Sequence, residues 1–279
     1  MPLDSARAFL FTPANRPDRF AKAAASGADA LILDLEDAVS GTGKDEARAN
    51  LITHFRGDWR RDLQRGQVCG LRVNNLHTAA GLRDLADIAA AGLRPDFIVI
   101  PKVESAAEVR VYARHLPGVA LLPAIESARG VEEAINIATA DPLVQGLAFG
   151  GADLAVDLRA TLTWESMFAS RSRLVQAASI ACIAVVDVPH FVLDDAEALK
   201  ADAARVKALG FTGKLAIHPK QIAPIIEVFT PSGQEVAEAR EIVAALERAG
   251  GNVVEYRGKM VEGPVVKAAQ RVIALADRR

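Results

Sequence analysis

Residues 120–153 read ALLPAIESARGVEEAINIATADPLVQGLAFGGAD, and the order of residue types in this stretch decides the fold. An apolar run, Ala120 to Ile125, stops on Glu126. An amphipathic run, Val131 to Ala140, follows, and a second apolar run, Gln145 to Phe149, stops on Gly150, Gly151 and Asp153. Short apolar runs separated by segments of helical period are the pattern of βα units, whose strands lie parallel because each helix carries the chain back across the sheet.

The same alternation extends in both directions. Strands are predicted over Ala8–Phe11, Ala30–Leu35, Val68–Val73, Phe97–Ile100, Ala120–Ile125, Gln145–Phe149, Ile183–Val186 and Lys214–Ile217. Helices are predicted over Arg16–Ser26, Asp45–Phe55, Ala79–Ala91, Ala106–His115, Val131–Ala140, Glu165–Ile180, Ala196–Leu209 and Gln221–Phe229. Eight strands, each followed by a helix, are the count of an α/β fold of the (β/α)8 TIM-barrel type. An open doubly wound sheet is the main competitor. It lacks its fingerprint here, because the first strand runs into Thr12-Pro13-Ala14-Asn15 and no G-x-G-x-x-G follows it. Glycines at Gly27, Gly92 and Gly210 mark helix ends, where a left-handed cap is cheap.

After the eighth unit the pattern changes at Pro231-Ser232-Gly233. A charged helix from Gln234 to Arg248, a short strand at Val253–Tyr256 and a last helix after Pro264 make an appendage. The expected division is a catalytic barrel over residues 1–230 and a C-terminal appendage over 231–279.

Composition excludes several classes of partner. The chain has 279 residues, 24% of them charged, with a net charge of -2, far from the basic balance that a phosphate backbone demands. No nucleic-acid partner is expected. No run approaches the roughly 20 apolar residues of a membrane span, so no membrane partner is expected and the cytoplasm is the default location. The two cysteines, Cys69 and Cys182, lack metal-ligand spacing and are expected to be buried free thiols.

In a parallel barrel, chemistry collects at the carboxyl ends of the strands. Polar groups stand there repeatedly: Leu33-Asp34-Leu35-Glu36-Asp37, Leu71-Arg72-Val73-Asn74-Asn75, Ile100-Pro101-Lys102, Ile125-Glu126-Ser127, Phe149-Gly150-Gly151-Ala152-Asp153 and Ile217-His218-Pro219. Mutually neutralising ion pairs are the competing structural reading of these charges, and a helix N-terminal acidic cluster is the competing reading of Glu36 and Asp37. Several acids at one mouth repel one another unless a cation sits among them. Oxygen donors without histidine or thiolate clusters favour Mg2+ over zinc. His218, before Pro219, orients the loop as readily as it would catalyse, and receives no proton-transfer role.

These motifs in this order resemble the citrate lyase beta-subunit-like branch of the HpcH/HpaI aldolase/citrate lyase superfamily. The resemblance also takes in Arg7-Ala8-Phe9-Leu10-Phe11-Thr12-Pro13, Gly210-Phe211-Thr212-Gly213-Lys214, Pro219-Lys220-Gln221-Ile222 and Gly258-Lys259-Met260-Val261, so that it runs almost end to end. It implies a cytoplasmic, homotrimeric lyase that cleaves or forms a carbon-carbon bond between a thioester enolate and a 2-oxo acid. Its substrates would be citryl-, malyl- or citramalyl-type thioesters carried on CoA or an acyl carrier. Matched motif by motif, Glu126 and Asp153 would bind Mg2+, while Glu36 and Asp37 would hold metal-bound waters. Arg72 would meet the acyl oxygen or a substrate carboxylate, and Lys102 would add a further electrostatic contact. Pro13, Asn15 and Arg16 would lie along the thioester carrier.

Three departures mark this chain. Met260-Val261-Glu262 stands where the family usually has Met-Val-Asp or Met-Ile-Asp, whose aspartate is thought to reach a neighbouring subunit's site as acid or base. Ala152 replaces a common acidic residue, and Ala14 a frequent glycine. A CoA-independent 4-hydroxy-2-oxo acid aldolase and a carrier-dependent or non-catalytic subunit of a lyase complex remain the alternative functions.

Overall fold

The computed structural model describes residues 3–248, 250 and 253–277. Eight strands form its first unit: β1 Ala8–Pro13, β2 Ala30–Asp34, β3 Val68–Arg72, β4 Phe97–Ile100, β5 Ala120–Ile125, β6 Gly146–Phe149, β7 Ala184–Asp187 and β8 Gly213–Ala216. Each pairs in parallel with the next, and β8 pairs with β1, which closes a TIM barrel. The outer layer comprises α1 Phe20–Ala24, α2 Lys44–Arg56, α3 Ala79–Ala90, α4 Ala106–His115, α5 Ala128–Glu132, α6 Ala134–Ala138, α7 Gly151–Asp157, α8 Trp164–Ala181, α9 Ala196–Leu209 and α10 Ile222–Phe229.

Closure follows from the strand sequences. Alternate residues of a strand point to one face, and Phe9, Ile32, Val99, Leu122, Val186 and Leu215 meet along the barrel axis as one buried core. Phe9 and Phe97 pack edge to face, 6.2 Å apart at their centroids. Helix starts are set by side-chain caps. Thr78, Ser105, Ser127, Thr163 and Asp195 each accept a hydrogen bond from a backbone N–H three residues on.

Helix ends follow the glycines, with Gly27, Gly92 and Gly210 all at positive φ. Two details differ from expectation. The helix predicted over 131–140 starts at Ala128, because Ser127 caps it, and breaks at Glu133, whose ψ of 3° leaves the helical region. Cys182, expected to be buried, is exposed: it ends α8 in the left-handed conformation at φ 56, which turns it out of the helix face that packs on the barrel. Both thiols are free.

A buried ionic knot ties β7 and β8 to their helices. Lys214 and Asp187 are fully buried and face outward from the barrel. The Lys214 ammonium donates to Asp187 and lies 2.7 Å from the Asp202 carboxylate on α9. Arg171 of α8 donates to the other Asp187 oxygen at 2.8 Å, with its guanidinium over the rings of Phe149 and Trp164.

The second unit covers residues 227–279. Within it α11 Gly233–Arg248 packs on α12 Gly263–Asp277, and β9 Val254–Tyr256 pairs antiparallel with β10 Lys259–Val261. Arg257 and Gly258 both take positive φ, as a two-residue hairpin turn with the strands' twist requires. Tyr256 donates to the Glu241 carboxylate, which Arg257 also reaches at 3.0 Å. Among the described residues no helix is long and apolar enough to cross a membrane.

Removing the Lys214 ammonium leaves one buried Asp187 oxygen without its donor and Arg171 alone against two carboxylates. Lys214→Met is expected to lose about 3 kcal/mol or more of unfolding free energy in urea, against under about 1 kcal/mol for the exposed Lys22→Met.

Candidate active site

The site begins with strand period. On β2 and β3 the residues facing the axis include Ile32 and Val68, which makes Asp34 and Arg72 the last inward residues before the chain leaves the sheet. They are register partners on neighbouring strands. Arg72 grips Asp34 with two prongs, Nε and Nη2, at 2.7 and 2.6 Å. Asp34 is fully buried and also accepts the backbone N–H groups of Glu36 and Ala38, at 2.9 and 3.1 Å. These bonds curl the chain after β2 so that Glu36 and Asp37 stand beside the guanidinium. Arg72 Nη1 lies 3.0 Å from Glu36 Oε2 and 3.3 Å from Asp37 Oδ2, and the guanidinium covers the Phe11 ring at 4.5 Å. Burial opposes the charge on Arg72, but the carboxylates of Asp34, Glu36 and Asp37 outweigh it and hold its pKa above the usual range. Lys44 braces the turn from outside, donating to the carbonyls of Leu35 and Glu36 at 2.7 and 2.6 Å.

Lys102 follows β4 with φ 53, a left-handed conformation uncommon for a residue with a side chain. Its ammonium donates to Glu36 Oε1 at 2.8 Å and lies 4.0 Å from Asp37 Oδ1 and 3.9 Å from Asp153 Oδ1.

Glu126 extends the inward series of β5 and is 7% exposed. Asp153 lies in the first turn of α7 and is about half exposed. Gly150 lets the two approach: a Cβ there would fall 2.2 Å from Glu126 Cγ, so only a glycine lets Glu126 lie across the start of α7. Burial, and then the charges of Glu36 and Asp153, push the Glu126 carboxyl up to about 8. Glu36 is also raised by burial, against the pull of Arg72 and Lys102. Glu126 Oε2 and Glu36 Oε2 are buried without a hydrogen-bond partner, although the latter is close to Arg72.

The residues at this mouth therefore suit a cation. Among the described residues, the cations recorded against Asp34, Glu36, Asp37, Glu126 and Asp153 are Arg72 and Lys102, an excess of three negative charges when all are ionised. Among the described residues no three His, Cys, Asp or Glu side chains converge as a metal cage. One or two carboxylates with remaining positions left to water and substrate is the usual donor set of Mg2+, and Glu126 with Asp153 is the pair here that could hold such an ion.

The other candidates are placed differently. Arg16 is engaged by Asp18 through two bonds of 2.8 Å on an exposed surface, so a thioester carrier would have to share or displace that pair. Pro13 ends β1, and Asn15 Oδ1 is buried without a partner. Glu262 is exposed in the second unit, between β10 and α12. His218 acts as a loop residue: its Nδ1 accepts the Lys220 N–H at 3.1 Å and caps the turn at Pro219–Gln221. Asp34, which holds Arg72 and shapes the turn carrying Glu36 and Asp37, is not among the site residues predicted above, although the period of two along β2 marks it as inward-facing. The helix that Asp153 opens is likewise not among the predicted elements.

With divalent ions chelated, ionising Glu126 disfavours the folded state, because its folded pKa lies above its unfolded value. Its stabilising contribution is complete at low pH and is lost as pH rises through about 8. Glu126→Gln is expected to remove this loss, gaining on the order of 2 kcal/mol relative to the parent between pH 6 and pH 9 in urea unfolding.

Comparison with known proteins gives this geometry its context. The family model described as HpcH/HpaI aldolase/citrate lyase matches residues 7–219, and a model described as a C-C bond lyase of the TIM-barrel fold matches residues 164–278. The chain is 36% identical to the L-malyl-CoA/beta-methylmalyl-CoA lyase of Cereibacter sphaeroides, covering 97% of this chain and 94% of that protein. It is 32% identical to citrate lyase subunit beta of Leuconostoc mesenteroides subsp. cremoris, covering 97% and 93%. Among solved structures, CitE from Mycobacterium tuberculosis in complex with magnesium, acetoacetate and coenzyme A superposes with a TM-score of 0.84 at 33% identity, covering 98% of this chain and 99% of that one. With the barrel, the acidic mouth and these matches together, the chain belongs to the HpcH/HpaI aldolase/citrate lyase family.

Proposed function

We propose that this chain is a Mg2+-dependent carbon-carbon lyase acting on a 3-hydroxyacyl thioester of the malyl, citramalyl or citryl type, giving an acetyl thioester and a 2-oxo acid, or running in reverse. The observation that carries this reading is the excess of carboxylate at the barrel mouth, with Glu126 Oε2 buried and without a hydrogen-bond partner. The malyl-CoA lyase and citrate lyase relatives, and the neighbour that binds magnesium and coenzyme A, support the same reading.

In this reading Glu126 and Asp153 hold the metal, and Glu36 and Asp37 hold its waters. Mg2+ there supplies electrophilic polarisation of the 2-oxo acid oxygens. Cleavage breaks the C2–C3 bond of the hydroxyacyl thioester: the hydroxyl gives its proton to a carboxylate of the mouth and becomes the carbonyl of the oxo acid, while the bonding pair passes to the thioester fragment as an enolate. Arg72 meets that developing charge. Its Nε and Nη2 are bonded to Asp34, and its Nη1 lies against Asp37 and Glu36, which locks the plane of the guanidinium. A fixed donor of this kind gives more than a mobile one, because nothing reorganises as charge appears.

Protonation of the enolate carbon needs an acid. Glu262 is the candidate, acting in a neighbouring subunit of a homotrimer, with its extra methylene displacing the carboxyl by about 1.5 Å relative to aspartate. The thioester carrier would pass Pro13, Asn15 and Arg16.

The deciding experiment offers malyl-CoA, citramalyl-CoA, citryl-CoA and 4-hydroxy-2-oxo acids to the purified protein, with Mg2+ or with EDTA. Metal-dependent release of acetyl-CoA is expected. Pyruvate from a CoA-free acid would instead indicate an aldolase, and activity only with an acyl carrier protein would indicate a lyase-complex subunit. Arg72→Ala is expected to lower kcat about a hundredfold or more with the metal still bound. Glu262→Asp should keep or raise activity. Mixing refolded Arg72→Ala and Glu262→Ala subunits should restore turnover that neither has alone, and no restoration would place the acid within one chain.

A further inference from the structure

Lys102 is the one ammonium described at the mouth, and four acids surround it. Its Nζ donates to Glu36 at 2.8 Å, lies 3.9 Å from Asp153 and 4.0 Å from Asp37, and feels the charge of Glu126. These are the same four carboxylates that the reading above assigns to the metal and its waters. The position is built rather than accidental. A left-handed backbone at φ 53, with the Lys102 carbonyl 3.5 Å from Asn75 Nδ2, sets the start of the side chain, and Glu36, which receives its ammonium, is itself held by the turn from β2.

An ammonium and a divalent ion make conflicting demands on such a ring. An ion bonded to Asp153 at about 2.1 Å would lie within about 6 Å of the Lys102 nitrogen, a range at which two cations repel directly. Glu36 would have to serve both, although each of its oxygens already faces a cation: Oε1 meets Lys102 and Oε2 lies 3.0 Å from Arg72. The Lys102 side chain is 38% exposed, so it has an open way out, whereas the buried Glu36 and Glu126 do not.

We propose, resting on the metal reading above, that Lys102 is an internal counter-cation of the metal site: its ammonium holds Glu36 and Asp153 in place and gives way to solvent when a divalent cation binds. Lys102 thereby keeps four acids from splaying apart and sets how tightly the ion is held. Its release from Glu36 frees that carboxylate for a metal-bound water and leaves a mobile ammonium at the rim of the mouth.

The test reads the wild-type protein first. Lysine acetylation by a dilute acylating reagent, followed by mass spectrometry with the exposed Lys22 as internal reference, should show Lys102 reacting at least fivefold faster with saturating Mg2+ than with EDTA. Calorimetric titration with Mg2+ should then show Lys102→Met binding at least tenfold more tightly than wild type. Metal-insensitive or slower acetylation of Lys102, or a Lys102→Met affinity equal to or weaker than wild type, overturns the proposal while leaving the metal site standing. A wild-type protein that binds no Mg2+ at all removes the metal reading, and this inference with it.

Discussion

The bond on which the mouth depends is the two-pronged pair between Arg72 and Asp34. It joins the ends of two adjacent strands at register positions, where the barrel holds both backbones rigid. Asp34 gives its carboxylate to Arg72 and to two backbone N–H groups, so one buried side chain shapes the turn that carries Glu36 and Asp37. A guanidinium in this position keeps its charge however far it is buried, because it cannot lose a proton at any pH the protein meets. That permanence lets two further acids, Glu36 and Asp37, gather around it.

Such crowding has an electrostatic consequence. Two cationic side chains do not balance five carboxylates, and burial first, then the charges of Glu36 and Asp153, push the Glu126 carboxyl up to about 8. In the proposed reading a divalent ion would relieve the repulsion among two acids of low exposure and one half-exposed acid. The barrel wall bears the cost through packing elsewhere. The knot of Lys214, Asp187, Arg171 and Asp202 shows that charge is also buried on the outer side of the sheet, there as a closed and neutral set with no chemistry left over.

The two ion networks look alike in the sequence, since each is a strand-end acid with a basic residue some distance along the chain. What separates them is which face of the strand each residue occupies. Asp34 and Arg72 point to the axis and open onto the mouth, whereas Asp187 and Lys214 point to the helices and are sealed. Counting residues from an inward-facing position recovers this, provided the strand limits are known to within one residue. A slip of one position exchanges the two faces.

The amino-acid sequence carries the barrel in legible form, since short apolar runs and helical runs of period 3.6 are local properties that any reader of the chain can count, and each of the eight strands falls where its run predicted. It also determined that acids, Arg72 and Lys102 stand at strand ends, and hence at one mouth. Tertiary structure alone decided who touches whom. The Lys102 bond to Glu36 spans 66 residues and the Arg72 bond to Asp34 spans 38, separations at which the one-dimensional pattern holds no distance information. It decided, too, that Asp153 begins a helix, that Gly150 clears space for Glu126, and that Cys182 faces solvent. The physical reason is common to all of these: the backbone pattern is set by neighbours in sequence, whereas burial, pairing and pKa are set by neighbours in space.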